Sequence, residues 1–149
     1  MKKLVFLIFI ISPNLIFSQK NDTTTVYNIL EQSKELSLSN KDSAILNYKN
    51  ALEISKKINY TRGYFRSLNG IKICTKKNSE KDSIAKLILN DNRINKFPAL
   101  KFNVLLTTGY DFFNTQQFDS AITYLNKALI NKKYIADSCD ELQRIMYAM

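Results

Sequence analysis

The chain has no histidine, only two cysteines, and only three glycines and two prolines in 149 residues. Without histidine there is no imidazole to serve as a base at neutral pH or as a metal ligand, which removes many classes of enzyme. Two cysteines without a histidine also make a poor metal site. The shortage of glycine and proline leaves few turn formers. At 45% hydrophobic and 23% charged the composition is globular, so it favours helices over sheets. The length corresponds to about one domain.

Long apolar runs are also missing. Leu4 to Ile11 is apolar, but Ser12, Pro13 and Asn14 interrupt it. Even counted through Phe17 it falls short of the roughly 20 residues a spanning helix needs. With Lys2 and Lys3 before it and Ser18 as the small residue ahead of Gln19, residues 1–18 read as a secretory signal peptide. No stable membrane span is expected after cleavage. No cysteine lies near the end of the run, so no lipid-anchored amino terminus is expected. The expected location is exported, either periplasmic or extracellular.

Charge is uneven. From Lys49 to Lys101 there are 13 basic and four acidic residues, a balance of 13 − 4 = +9. Such a stretch could attract an acidic polymer or an anionic membrane surface. Because its charges are spread along helices, a solvated exterior is the plainer explanation, and nucleic acid is not the expected partner.

What is present is helical periodicity. Between Pro98 and Asn114, the residues Leu100, Val104, Leu105, Thr108, Gly109, Phe112 and Phe113 recur at the four-and-three spacing of one helix face. After a polar turn at Asn114 to Gln117, the residues Ala121, Ile122, Leu125, Ala128 and Leu129 form a second stripe. Gly109 and Ala121 are small enough to let two helix axes approach near the lower end of the roughly 8–10 Å range. The segments Lys41-Asp42-Ser43-Ala44, Lys81-Asp82-Ser83-Ile84 and Phe118-Asp119-Ser120-Ala121 repeat after 40 and then 37 residues. Each Asp is suited to opening a helix by accepting from an orphan first-turn N–H.

On these residues the chain resembles a tetratricopeptide repeat protein of an exported bacterial type. Gly109, Phe112, Ala121 and Ala128 stand at the family's places, with Leu105 where the family has Trp, Thr108 for Leu, Leu125 for the second-helix aromatic and Lys133 for Pro. Ala44, Tyr48 and Ala51 match the second helix of an earlier unit, and Gly70 stands 39 residues before Gly109. The resemblance implies an all-α, right-handed superhelical array of antiparallel helix pairs. The expected units span about 24–58, 60–94 and 98–132, after a short segment at 19–23 and before a final helix at 137–149. In the middle unit a turn from Lys76 to Lys81 is expected to be two residues longer than its counterpart. That would let Ile84, Leu87 and Ile88 face inward in place of Asp82 and Lys86. In the final helix Leu142, Ile145, Met146 and Met149 share a side, and the chain stops there without a polar tail. A fragment of a longer signalling protein, or an interface for another chain, would account for this.

Several motifs invite chemistry. Ser83-Ile84-Ala85-Lys86 has the S-x-x-K spacing of a serine nucleophile one turn from a lysine base, but neither S-D-N nor K-T-G accompanies it, and a helix start with an exposed lysine explains it. Cys74 and Cys139 fall in units too far apart for a disulfide, so both read as packed thiols. Most tyrosines and phenylalanines lie in the stripes and read as core. No catalytic residue, metal or cofactor is expected.

In proteins of this family the first helix of each unit lines a concave surface. By alignment on Gly70 and Gly109, the resemblance assigns that surface to Tyr64, Ser67, Ile71, Asn103, Leu106, Tyr110 and Asn114. The lysine that some members use to clamp a peptide carboxylate is replaced by Ser67 and Leu106, so that device is absent. The expected function is a non-enzymatic scaffold that holds a protein or peptide, with polyanion or membrane binding through residues 49–101 as the alternative.

Overall fold

The computed structural model describes residues 22–131; the expected signal peptide and the expected final helix at 137–149 lie outside the described residues. Six α-helices and no strand are present among them. In order they are α1 at 22–39, α2 at Lys41–Lys57, α3 at Thr61–Cys74, α4 at Asn78–Leu89, α5 at Pro98–Asn114 and α6 at Phe118–Asn131, with a 3-10 helix at Asn92–Lys96 before α5. The described chain divides into two units, one ending at Cys74 and the other starting at Thr75. The division falls inside the span expected for the middle repeat, so α3 belongs with α2, and α4 with α5.

In the first unit, Asn40 caps α2 by accepting a hydrogen bond from the Ser43 backbone N–H at 3.0 Å. Asp42 lies in the first turn, where it complements the helix dipole, but the cap itself is the asparagine. Ala44, Tyr48, Ala51 and Leu52 turn inward, as the spacing predicts. On α1, Val26 and Leu30 are buried, whereas Tyr27 and Leu38 are exposed. Tyr27 lies under the Arg66 guanidinium, 5.6 Å from its ring centre. The same guanidinium pairs with Glu31 at 2.6 Å, tying α3 to α1.

Both helical hairpins turn by the same device. Asn59 and Gln116 adopt the left-handed conformation, with φ of 55° and 60°. The residue after each donates its N–H back five places, Tyr60 to the Ser55 carbonyl at 2.8 Å and Gln117 to the Phe112 carbonyl at 3.0 Å. This is the Schellman closure that satisfies the last carbonyls of α2 and α5. Each hairpin then closes over a glycine. A Cβ on Gly70 would overlap the Tyr48 ring, and one on Gly109 would come within 2.7 Å of Leu125 Cγ and Cδ2. The small residues admit close packing as the sequence implies.

In the second unit, α4 starts at Asn78, so the connection from α3 is only Thr75 to Lys77 and not the long turn expected over Lys76 to Lys81. Nothing in Asn78-Ser79-Glu80-Lys81 stops a helix, and Lys77 pairs with Glu80 at 3.3 Å along the first turn. Asp82 therefore lies a turn inside α4 and does not open it. Ala85 and Ile88 are the buried residues of this helix, while Leu87 is 52% exposed. Asp119 does sit in the first turn of α6. The core here is Phe102, Leu105 and Ala128, with Leu89, Leu106 and Tyr124 packed against it. Phe112 stacks on Tyr124 at 5.4 Å. Of the apolar stripe read on α6, Ala121 and Ala128 are buried, but Ile122 and Leu129 face outward. With Phe118, they leave the outer side of α6 apolar.

Candidate binding surface

The seven residues assigned to a concave surface belong to both units. On α3, Tyr64 is half-buried and meets Phe65 edge to face at 5.3 Å. Ser67 is 0% exposed and Ile71 9%, so the structure encloses both and does not present them on a surface. The reason is that α3 is covered on more than its apolar stripe: Gly63, Asn69, Gly70, Lys72 and Cys74 are buried as well. A helix enclosed this way is an interior helix and has no open flank at Ser67 and Ile71. Among the described residues, the buried Ser67 hydroxyl has no hydrogen-bond partner, and neither does that of Ser55.

On α5 the placement differs. Asn103, Leu106 and Tyr110 are half-buried and Asn114 is exposed. Their separations of three, four and four residues set them in series along one side of the helix. Val104, Leu105, Thr108 and Gly109 occupy the buried side. Thr108 donates its hydroxyl to the Val104 carbonyl at 2.6 Å, which satisfies it inside the helix and leaves the packing face effectively apolar. The α5 residues thus form a strip with a phenol, two amides and one apolar side chain.

The S-x-x-K pair is occupied otherwise. Ser83 donates its hydroxyl to the Ser79 carbonyl at 2.8 Å, and the Lys86 ammonium pairs with Asp82 at 2.6 Å. That hydrogen bond to Asp82 raises the lysine pKa, the opposite of what a general base needs. Cys74 is a buried free thiol, and burial pushes its pKa up, away from reactive thiolate character. Cys139 lies outside the described residues. Among the described residues no three acidic or sulfur side chains group to hold a metal, and no helix is long and apolar enough to cross a membrane.

Features that the sequence did not signal lie in the second unit. Lys81 on α4 pairs with Asp111 on α5 at 2.8 Å, with both side chains mostly buried. Two clefts flank these helices. One, about 250 Å³, has Asp82, Thr108, Asp111 and Phe112 in its wall. The other, about 270 Å³, is lined by Lys86, Leu89, Lys101, Leu105, Tyr124 and Lys127, among others. None of the seven assigned residues lines either. Such clefts depend on how α4, α5 and α6 converge, which spacing along one helix does not encode.

Compared with protein-family models, with curated proteins and with solved structures, the chain matches none.

Proposed function

We propose that this all-helical protein is an exported, non-enzymatic scaffold that holds a protein or peptide segment. In this reading it is a divergent tetratricopeptide-type array, with helix pairs following one another in a right-handed superhelix. It would act as a free-standing adaptor or as the sensory part of a longer signalling protein. The observation that carries the reading is the strip on α5: Asn103, Leu106, Tyr110 and Asn114 in helical series, none of them fully buried, with Leu106 packed against the core on its inner side. A part-exposed tyrosine flanked by amides is the composition that anchors a peptide, with the ring supplying contact area and the amides pairing its backbone. Export rests on the charged start and short apolar run of residues 1–18.

The alternative, a polyanion or anionic membrane binder acting through residues 49–101, has less support. Lys56, Arg66, Lys77, Lys81, Lys86 and Arg93 are each paired with a carboxylate, and Lys72 is 1% exposed. Glu53, Glu80, Asp82 and Asp91 are already counted in the +9. Glu31 and Asp111, from outside the segment, bring it to 9 − 2 = +7, and Lys72 is withdrawn from the surface.

The test is a peptide library selected on the full chain, with the enriched peptides titrated against wild type, Tyr110→Ala and Asn103→Ala. Affinity should fall about tenfold in the tyrosine variant and depend little on salt. Peptides that bind both variants as well as wild type, or whose affinity falls log-linearly with salt, would sink the reading in favour of the polyanion one.

A further inference from the structure

We propose that the cleft between α4, α5 and α6 binds a small carboxylate carried on an apolar body, with Lys101 and Lys127 holding the anion and Leu89, Leu105 and Tyr124 receiving the rest.

The charge is one-sided. The lining includes three lysines, Lys86, Lys101 and Lys127, and no acidic residue. Lys86 is neutralised by Asp82 at 2.6 Å. The other two are not. The Lys101 ammonium donates to the neutral Asn95 amide oxygen at 2.9 Å, and the Lys127 ammonium lies over the Tyr124 ring, 5.5 Å from its centre. Neither has a carboxylate partner among the described residues. An anion entering the cleft therefore meets two uncompensated positive charges.

Charge alone would not retain a ligand, because exposed ion pairs are worth little. The floor supplies the rest. Leu105 is 3% exposed and belongs to the core with Phe102 and Ala128, and Leu89 and Tyr124 pack against that core. Tyr124 is itself backed by Phe112 through the 5.4 Å stack, so the ring is fixed from behind. An apolar group laid on this floor leaves water at a preformed surface. The volume of about 270 Å³ is just below the roughly 300–1,000 Å³ typical of sites for drug-sized ligands. The apolar body is accordingly a short alkyl chain or a single ring. The same chemistry is offered by a free medium-chain acid or by a glutamate beside a leucine in a protein segment. The site shares no residue with the Tyr110 strip, so it stands or falls separately from the scaffold reading.

The test uses the isotope-labelled full chain, titrated with octanoate, octanol, acetate and the capped peptide acetyl-Leu-Glu-Leu-amide while amide resonances are followed. Octanoate should saturate a single site, with shifts centred on Leu89, Leu105 and Tyr124. Octanol, which lacks the charge, should bind about tenfold more weakly, and acetate, which lacks the chain, should not saturate. Lys101→Gln combined with Lys127→Gln should weaken octanoate by about tenfold or more while the spectrum away from the cleft stays unchanged. Lys127→Met, which keeps the stem over Tyr124 but not the charge, should lose affinity too. If the peptide saturates the same resonances and octanoate does not, the carboxylate comes from a protein side chain and the assignment stands. Failure of both to saturate, shifts centred elsewhere, or wild-type affinity in the double variant or in Lys127→Met would overturn it.

Discussion

Gly70 lies so close to the Tyr48 ring that a methyl group in place of its hydrogen would overlap the aromatic carbons. The α2–α3 hairpin is closed at this contact. The ring is rigid, so the backbone of α3 has to retreat if the position is filled. Gly70→Ala should therefore cost about 3 kcal/mol or more. At Gly109 the obstacle is the Leu125 side chain, which can change rotamer, and Gly109→Ala should cost about 1–2 kcal/mol. Urea melts of the two variants check the order, and a Gly109→Ala variant less stable than Gly70→Ala would contradict it.

Gln116 stands at φ 60°, where a side chain is disfavoured. Gln116→Gly should raise stability by about 0.5–1 kcal/mol, the relief of left-handed strain outweighing glycine's greater freedom in the unfolded chain. A melting temperature that falls would show that the glutamine side chain makes a contribution of its own.

Tyr48 is buried, and its phenol is pushed up to about 12, first by that burial, then by nearby Cys74 and Glu31 against the opposing Arg66. The fold favours the neutral form. Its contribution to stability is therefore fully present below the unfolded value of 10.0 and is lost as pH rises toward about 12. Melts at increasing pH should show a shallower alkaline decline in Tyr48→Phe than in wild type, and absorbance should report one tyrosine ionising late. Equal slopes in the two proteins would remove Tyr48 from the cause.

Lys81 and Asp111 form an ion pair between helices, with side chains 20% and 24% exposed, unlike Lys56 and Glu53 at 51% and 68% on one helix. A double-mutant cycle should give about 1 kcal/mol of coupling for the first pair and about 0–0.5 kcal/mol for the second. The first should also respond less to added salt. Equal couplings would mean that partial burial is not what strengthens the pair.

The helices were readable because each rests on local spacing. The close approach at Gly109 was legible from its small size on an apolar stripe, whereas the Tyr48 ring over Gly70 was not. Asp42 and Asp119 marked helix starts, although Asn40 provides the cap at the first. Asp82 misled, since α4 has no helix breaker ahead of it and runs back to Asn78. Burial of Ser67 was missed because a serine off the stripe looks like surface. A signal did exist: Gly63, Ser67 and Gly70 set small residues along α3 at four-and-three spacing, a mark of close neighbours there. The Lys81 to Asp111 pair and the Lys101 to Lys127 cleft join residues about 30 positions apart or brought together by converging helices. No window along one helix contains them.

The outward Phe118, Ile122 and Leu129 on α6, with Phe113 set edge-on to Phe118 at 5.8 Å, have a colloidal consequence. Grease left facing water on one helix makes concentrated solutions sticky. Light scattered by the protein should climb more steeply than in proportion to concentration, and salting-out agents that strengthen apolar association should bring the protein down early.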